Sequence, residues 1–181
     1  MVKCVATVIA VAGLVAAVPA GAVEQKATGK VRDFVVEAAS GGMMEVELGK
    51  HAATHAASDR VKDFGRRMVE DHGKANDELK QVSQRESITL PATMSKRDRQ
   101  EVDRLTKLRG AAFDRAYMEA MVADHEKDVA KFREQSRAAE DPDVKDFATR
   151  TLPTLESHLE MARDISAGIG RTTSGARRRY D

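Results

Sequence analysis

Tryptophan is absent from this chain, cysteine occurs once, proline four times, and aromatic residues make up only 4% of it. Each scarcity excludes something. A sheet protein draws on aromatic and β-branched residues, whereas Ala, Glu, Lys, Arg, Met and Leu dominate here and all favour helix. One sex of charge is not in excess either: 30 basic side chains meet 29 acidic ones. No overall field remains to hold nucleic acid or an acidic substrate, so no nucleic-acid partner is expected. The hydrophobic fraction of 41% beside 33% charged residues is that of a folded chain, and 181 residues are enough for one domain.

The lone cysteine, Cys4, opens an apolar run that extends to Val18, preceded by Lys3 and followed by the small residues Ala20, Gly21 and Ala22. That is the pattern of a signal peptide over residues 1–22, cleaved near Ala22. The run is shorter than the roughly 20 apolar residues that span a bilayer. A periplasmic or secreted location follows, with no membrane span after cleavage. Removal of Cys4 with the leader leaves neither a disulfide nor a thiolate ligand.

Beyond a flexible stretch at 23–30, apolar residues recur at steps of three and four. Val31, Phe34, Ala38, Leu48 and Ala52 mark a first helix, with Glu45 and His55 on the same stripe. Gly41 and Gly42 would let a neighbour approach. Ser58 is placed to cap a second helix with the stripe Val61, Phe64, Met68, His72, Leu79 and Val82. A third runs from about Ala111 to Ala139 through Met118, His125, Val129 and Phe132. Asp141 and Pro142 begin a fourth, through Phe147, Leu155, His158 and Ile165, which Gly168 and Gly170 should end and Pro153 should kink. The connection between the second and third helices holds a short helix near Val102–Leu105, with a capping-box pattern at Ser95 and Asp98. Four amphipathic helices bury their stripes together, so the expected fold is all-α, an antiparallel four-helix bundle over residues 31–167. The long connection is able to run back along the bundle; an up-down-up-down bundle with a loose excursion is the alternative. Residues 168–181 read as a disordered basic tail.

The chemistry-bearing signal is a repeated pentapeptide, Met68-Val-Glu-Asp-His72 and Met121-Val-Ala-Asp-His125, each followed by Lys two residues on. In both copies the histidine falls on the inward seam, as do Glu45 and His158. Glu45 and His72 lie about 20 Å from the first turn, and His125 and His158 about 24 to 26 Å from the second, at about 1.5 Å of rise per residue. One carboxylate and three imidazoles can therefore meet near mid-bundle. Such a set suits Zn, Fe, Mn or Cu. A polar network that fixes helix register, with no metal, is the other reading. Asp71 and Asp124, next to the seam histidines, are able either to orient an imidazole or to face solvent. Met68, Met121 and Met161 lie a helical turn from these histidines, where thioethers could assist copper or fill the core. His51 and His55 form a further i, i+4 pair, read as a surface feature rather than a zinc site. No nucleophile-and-base arrangement or phosphate loop is present, and no catalytic residue is assigned.

Phe34 with Ala38, Glu45 to Gly49, Val61 to Phe64, the two pentapeptides, Phe113-Asp114 with Tyr117, and Leu152-Pro153 followed by His158-Leu159 together resemble the exported domain-of-unknown-function family 4142. The likeness covers roughly Val31 to Ile165. It implies a ferritin-like fold but no assigned activity; the four inward ligands are what suggest a metal-binding or stress-related role in the envelope, with a second copy or an envelope protein as candidate partner. Ferritin-like di-iron centres use two Glu-x-x-His motifs. Val69 and Leu155 stand where this chain would need those glutamates, so the resemblance does not carry iron storage or oxygen activation with it.

Overall fold

The computed structural model describes residues 29–177, with side chains as far as Ile169. The expected leader and its cleavage point lie outside that span. Five helices and no strands are present among the described residues: α1 (Gly29–His55), α2 (Asp59–Arg85), α3 (Lys96–Leu105), α4 (Gly110–Ala138) and α5 (Pro142–Arg177). None of them is long and apolar enough to cross a membrane. The boundaries differ from expectation at two places. α3 starts at Lys96, well before Val102, and α5 continues past Gly168 and Gly170 to Arg177 instead of giving way to an irregular tail.

α1 packs along α2 and α4 along α5, and these two hairpins join through α2 against α5 and α1 against α4. The ends fix the directions. Asp114, in the second turn of α4, accepts hydrogen bonds from the backbone N–H groups of Ala57 (3.0 Å) and Ser58 (2.8 Å) at the α1–α2 turn. Arg85, ending α2, pairs with Asp143 at the start of α5. α2 and α4 therefore run the same way, and the segment between them travels the length of the molecule with α3 laid against α1 and α4.

Capping explains why the helices begin where they do. Ser58 occupies the N-cap position of α2, but its hydroxyl makes no capping bond; the Asp114 carboxylate, reaching over from α4, takes the turn's free N–H groups instead. At α3 the Ser95 hydroxyl accepts from the Asp98 N–H at 3.2 Å, as the pattern predicts. The reciprocal half of the box is missing because Ser40 of α1 intervenes: its hydroxyl donates to the Asp98 carboxylate and accepts from the Ser95 N–H at 2.7 Å. This contact pins the crossing segment to α1. Asp141 caps α5 as expected, accepting from the Val144 N–H at 2.9 Å.

The core has two apolar clusters. One includes Leu48, Phe64, Met68, Phe113, Tyr117, Met121 and Ile165; the other includes Phe34, Leu79, Val129, Phe132, Phe147 and Leu155. Between them on all four long helices fall buried polar residues: Glu45, His72, His125 and His158. The close approach of the α1 and α2 backbones is made by Gly49 and Gly65; of the expected pair Gly41 and Gly42, only Gly42 meets α2, through the Asn76 side chain. A Cβ on Gly49 would lie 2.7 Å from the Gly65 carbonyl oxygen, and one on Gly65 would lie 2.7 Å from that of Gly49, whereas Gly41 has open space.

Two outcomes test this packing. Gly49→Ala should destabilise the protein by about 1–3 kcal/mol because backbone must give way, while Gly41→Ala should be neutral or stabilising by up to about 1 kcal/mol; urea unfolding of both variants, with equal midpoints, would contradict the assignment. Asp114→Ala should cost about 1–3 kcal/mol by stripping partners from two N–H groups at the turn, measured the same way.

Candidate functional site: a buried layer of imidazoles and carboxylates

Helical periodicity puts His72, His125 and His158 on the inward faces of α2, α4 and α5, and their ring centres are 5.5, 5.3 and 5.4 Å apart for the pairs 72–125, 72–158 and 125–158. One ring nitrogen of each lies within 4.8 Å of the other two. All three side chains are buried. The expected convergence therefore occurs, at the same level of the molecule.

Each ring has one nitrogen engaged and one bare. His72 Nδ1 is 2.7 Å from Glu45 Oε2. His125 Nδ1 donates to the backbone carbonyl of Met121, one turn earlier, at 3.0 Å. His158 Nε2 donates to Asp71 Oδ2 at 2.9 Å. The nitrogens left over, His72 Nε2, His125 Nε2 and His158 Nδ1, are buried and have no hydrogen-bond partner. A bond to one imidazole nitrogen selects the tautomer and aims the other, which is how metal-binding histidines are held. Buried polar atoms without partners are uncommon and costly, so three of them in rings that each bring a nitrogen within 4.8 Å of the others point to a ligand that all three share.

Asp71 thus orients an imidazole, and its carboxyl lies below the usual range: burial pushes it up, but the hydrogen bond from His158 and the nearby Arg67 pull it down further. Met68 and Met121 are fully buried in the apolar cluster beside the layer, and Met121 contributes its backbone carbonyl to His125. Glu45 backs His72 with Oε2, while Oε1 has no hydrogen bond and stands 3.5 Å from His125 Nε2. Asp124 goes elsewhere. It forms a second group with Glu45 and Asp128, one oxygen from each lying within 4.8 Å of the others. Asp128 was not among the sequence candidates; its signal is the spacing of four from Asp124 and three from His125 on one helix, which α2 does not repeat, since Ala75 follows His72 at that distance. His51 and His55 stack at 4.3 Å near the end of α1 and belong to neither group.

Burial governs the electrostatics. It lowers His72 to about 4 against opposing pulls from Asp128, Asp124 and Asp71, His125 to about 3 with help from the two other rings, and His158 to about 4 despite Asp71. The imidazoles are neutral at ordinary pH and so able to donate lone pairs. The same burial, with the charges of Asp124 and Asp98, holds Glu45 well above its usual range. Where Glu45 is ionised, the ring proton of His72 sits on Nδ1 and Nε2 is bare; where Glu45 is protonated, its hydroxyl donates to Nδ1 and Nε2 carries the proton. A cation near the layer favours the first arrangement.

Solvent reaches the layer from two sides. A groove of about 180 Å³ between α2 and α5 is lined by Asp71, His72, Glu78, Arg150 and His158. A wider one of about 410 Å³, walled by Arg97, Asp98, Glu101, Met121, Asp124 and Lys127, opens where α3 crosses α1 and α4. The arrangement defines an all-helical protein with a reachable polar layer at mid-height. The chain belongs to the DUF4142 family, a domain of unknown function, with residues 16–165 matched. Among solved structures it is similar to one described as the crystal structure of a DUF305 fragment from Deinococcus radiodurans, with a TM-score of 0.67 and 16% identity over 81% of this chain and 99% of that one. At that identity the likeness concerns the fold. No curated protein matches the chain.

The depressed imidazoles set a pH dependence. Unfolded, they titrate near 6.5; folded, near 4 or below. Between those values the unfolded chain binds the more protons, so their contribution is complete above about pH 6.5 and is lost as pH falls toward 4. In chelator-treated protein, the urea midpoint should drop from pH 7 to pH 5 by more in the wild type than in His125→Gln. An equal drop in both would contradict a buried neutral imidazole at that position.

Proposed function

We propose that this protein is an exported four-helix bundle of the ferritin-like kind, its long crossover lying between the second and third long helices, and that it binds a divalent transition-metal ion through His72, His125 and His158. Three buried nitrogens without a partner, on rings that each bring one nitrogen within 4.8 Å of the others, carry this reading, and an acceptor on the engaged nitrogen fixes each ring. Three neutral imidazoles suit Zn, Cu or Fe, and Mn is served less well by nitrogen than by oxygen. A three-histidine set also leaves a coordination position for water or an exogenous ligand. Glu45, Asp71 and the Met121 carbonyl then serve as the groups that aim the rings, Glu45 in place of the direct ligand that spacing alone suggested. The parallel course of α2 and α4, enforced by Asp114 at one end and Arg85–Asp143 at the other, supports the ferritin-like topology over an up-down-up-down one. Export rests on the leader-like residues 1–22.

The Glu45–His72 contact at 2.7 Å favours a second reading, a metal-free structural or interaction protein whose polar layer fixes helix register. One experiment separates the two. Untagged protein and a His72→Ala/His125→Ala variant are loaded with Zn²⁺, desalted and assayed for metal content and thermal midpoint. The metal reading expects about one ion per chain and a raised midpoint in the wild type, both lost in the variant. Equal metal in both proteins, or none in either, returns the layer to a structural role.

A further inference from the structure

The carboxylates beside the imidazoles form a group that the trihistidine reading does not use. Asp124 and Asp128 lie one turn apart on α4 and face Glu45 of α1, with an oxygen from each within 4.8 Å of the others. Glu45 is 1% exposed. Its Oε2 is taken by His72, but Oε1 has no hydrogen-bond partner, and neither has the buried Oδ2 of Asp124. Unpartnered anionic oxygens of this kind cost several kcal/mol when dry unless a proton or a cation joins them.

The surrounding cations do not discharge the group. Lys127 and Arg97 act on Asp124, and Lys131 on Asp128, yet both carboxyls remain above their usual range, held there first by burial. Arg97 is engaged by Asp98 at 3.2 Å and Lys131 by Glu37. Space is present on both sides. A small, partly open pocket of about 30 Å³ touches Glu45, His72, Asn76 and Asp128, enough for one water-sized particle. The wide groove under α3 ends on Asp124.

We infer that Asp124, Asp128 and the free oxygen of Glu45 form a second cation site, separate from the trihistidine set, for a hard divalent ion of the manganese, magnesium or calcium class. Oxygen-only ligation selects such ions, and three carboxylates supply the charge that sets affinity. Waters entering by the groove complete the coordination shell. Glu45 lies between the two groups: Oε2 pairs with His72, and the unpartnered Oε1, 3.5 Å from His125 Nε2, stands at the boundary of imidazoles and carboxylates.

The site is tested with Mn²⁺ as the probe, its free-ion electron paramagnetic resonance signal being read during titration of the full chain. His158→Gln removes one imidazole from the trihistidine set while leaving Glu45 and both aspartates in place; Asp128→Asn and Asp124→Asn do the reverse with near-isosteric side chains. The wild type and His158→Gln should bind Mn²⁺ alike, and each aspartate variant should bind at least about tenfold more weakly. Retention of wild-type affinity in both aspartate variants overturns the proposal. So does parallel loss in His158→Gln, which would assign the ion to the imidazoles, or failure of the wild type to bind at millimolar Mn²⁺. Zn²⁺ content of Asp128→Asn, measured alongside, reports on the trihistidine site independently, and circular dichroism confirms that each variant is folded.

Discussion

Burying polar side chains in the middle of a helical core costs free energy for each donor or acceptor left unpaired, and this molecule pairs only one side of each ring. Glu45, Asp71 and the Met121 carbonyl each take one imidazole nitrogen. The other nitrogens are left buried without a partner. Loss of any backing acceptor would free its ring to rotate, and the convergence of the set would go with it.

The remainder of the fold keeps four helices in the register that this pairing needs. Apolar clusters above and below the layer hold the helices at fixed height. The Gly49–Gly65 contact brings α1 against α2 closely enough for Glu45 to reach His72. Asp114 and Arg85–Asp143 tie the hairpins at opposite ends. Ser40 clamps α3 across the outside, and that segment forms one wall of the groove leading to Asp124. Connection and site are thus parts of one arrangement, since the crossing segment that makes α2 and α4 parallel also shapes the approach to the carboxylates.

The layer has two chemical halves. Nitrogen donors from α2, α4 and α5 form one group and oxygen donors from α1 and α4 the other, and Glu45 of the second links to the first through His72. A second carboxylate on α4, Asp128, gives that helix its double role. The DUF305 fragment from Deinococcus radiodurans, alike in fold at 16% identity, indicates that the helical frame tolerates extensive change of sequence. Chemistry on such a frame is decided by a handful of inward positions.

The amino-acid sequence by itself determined the helices, the inward stripe of each and the level at which Glu45, His72, His125 and His158 meet, because a rise of about 1.5 Å per residue and a period of 3.6 are properties of the local backbone. It also marked Asp141 and Ser95 as caps, since those bonds form within a few residues. Contacts between segments far apart in the chain were beyond it. Spacing did not distinguish which oxygen or nitrogen each ring takes: it placed Glu45 among the imidazoles without showing that Oε2 pairs with His72, and Asp71 and Asp124 looked equivalent though one holds His158 and the other joins Asp128. The same limit applied at Ser58, whose hydroxyl makes no capping bond while its own backbone N–H is held by Asp114 from another helix. Those choices depend on how neighbouring helices rotate and approach, and only packing fixes that.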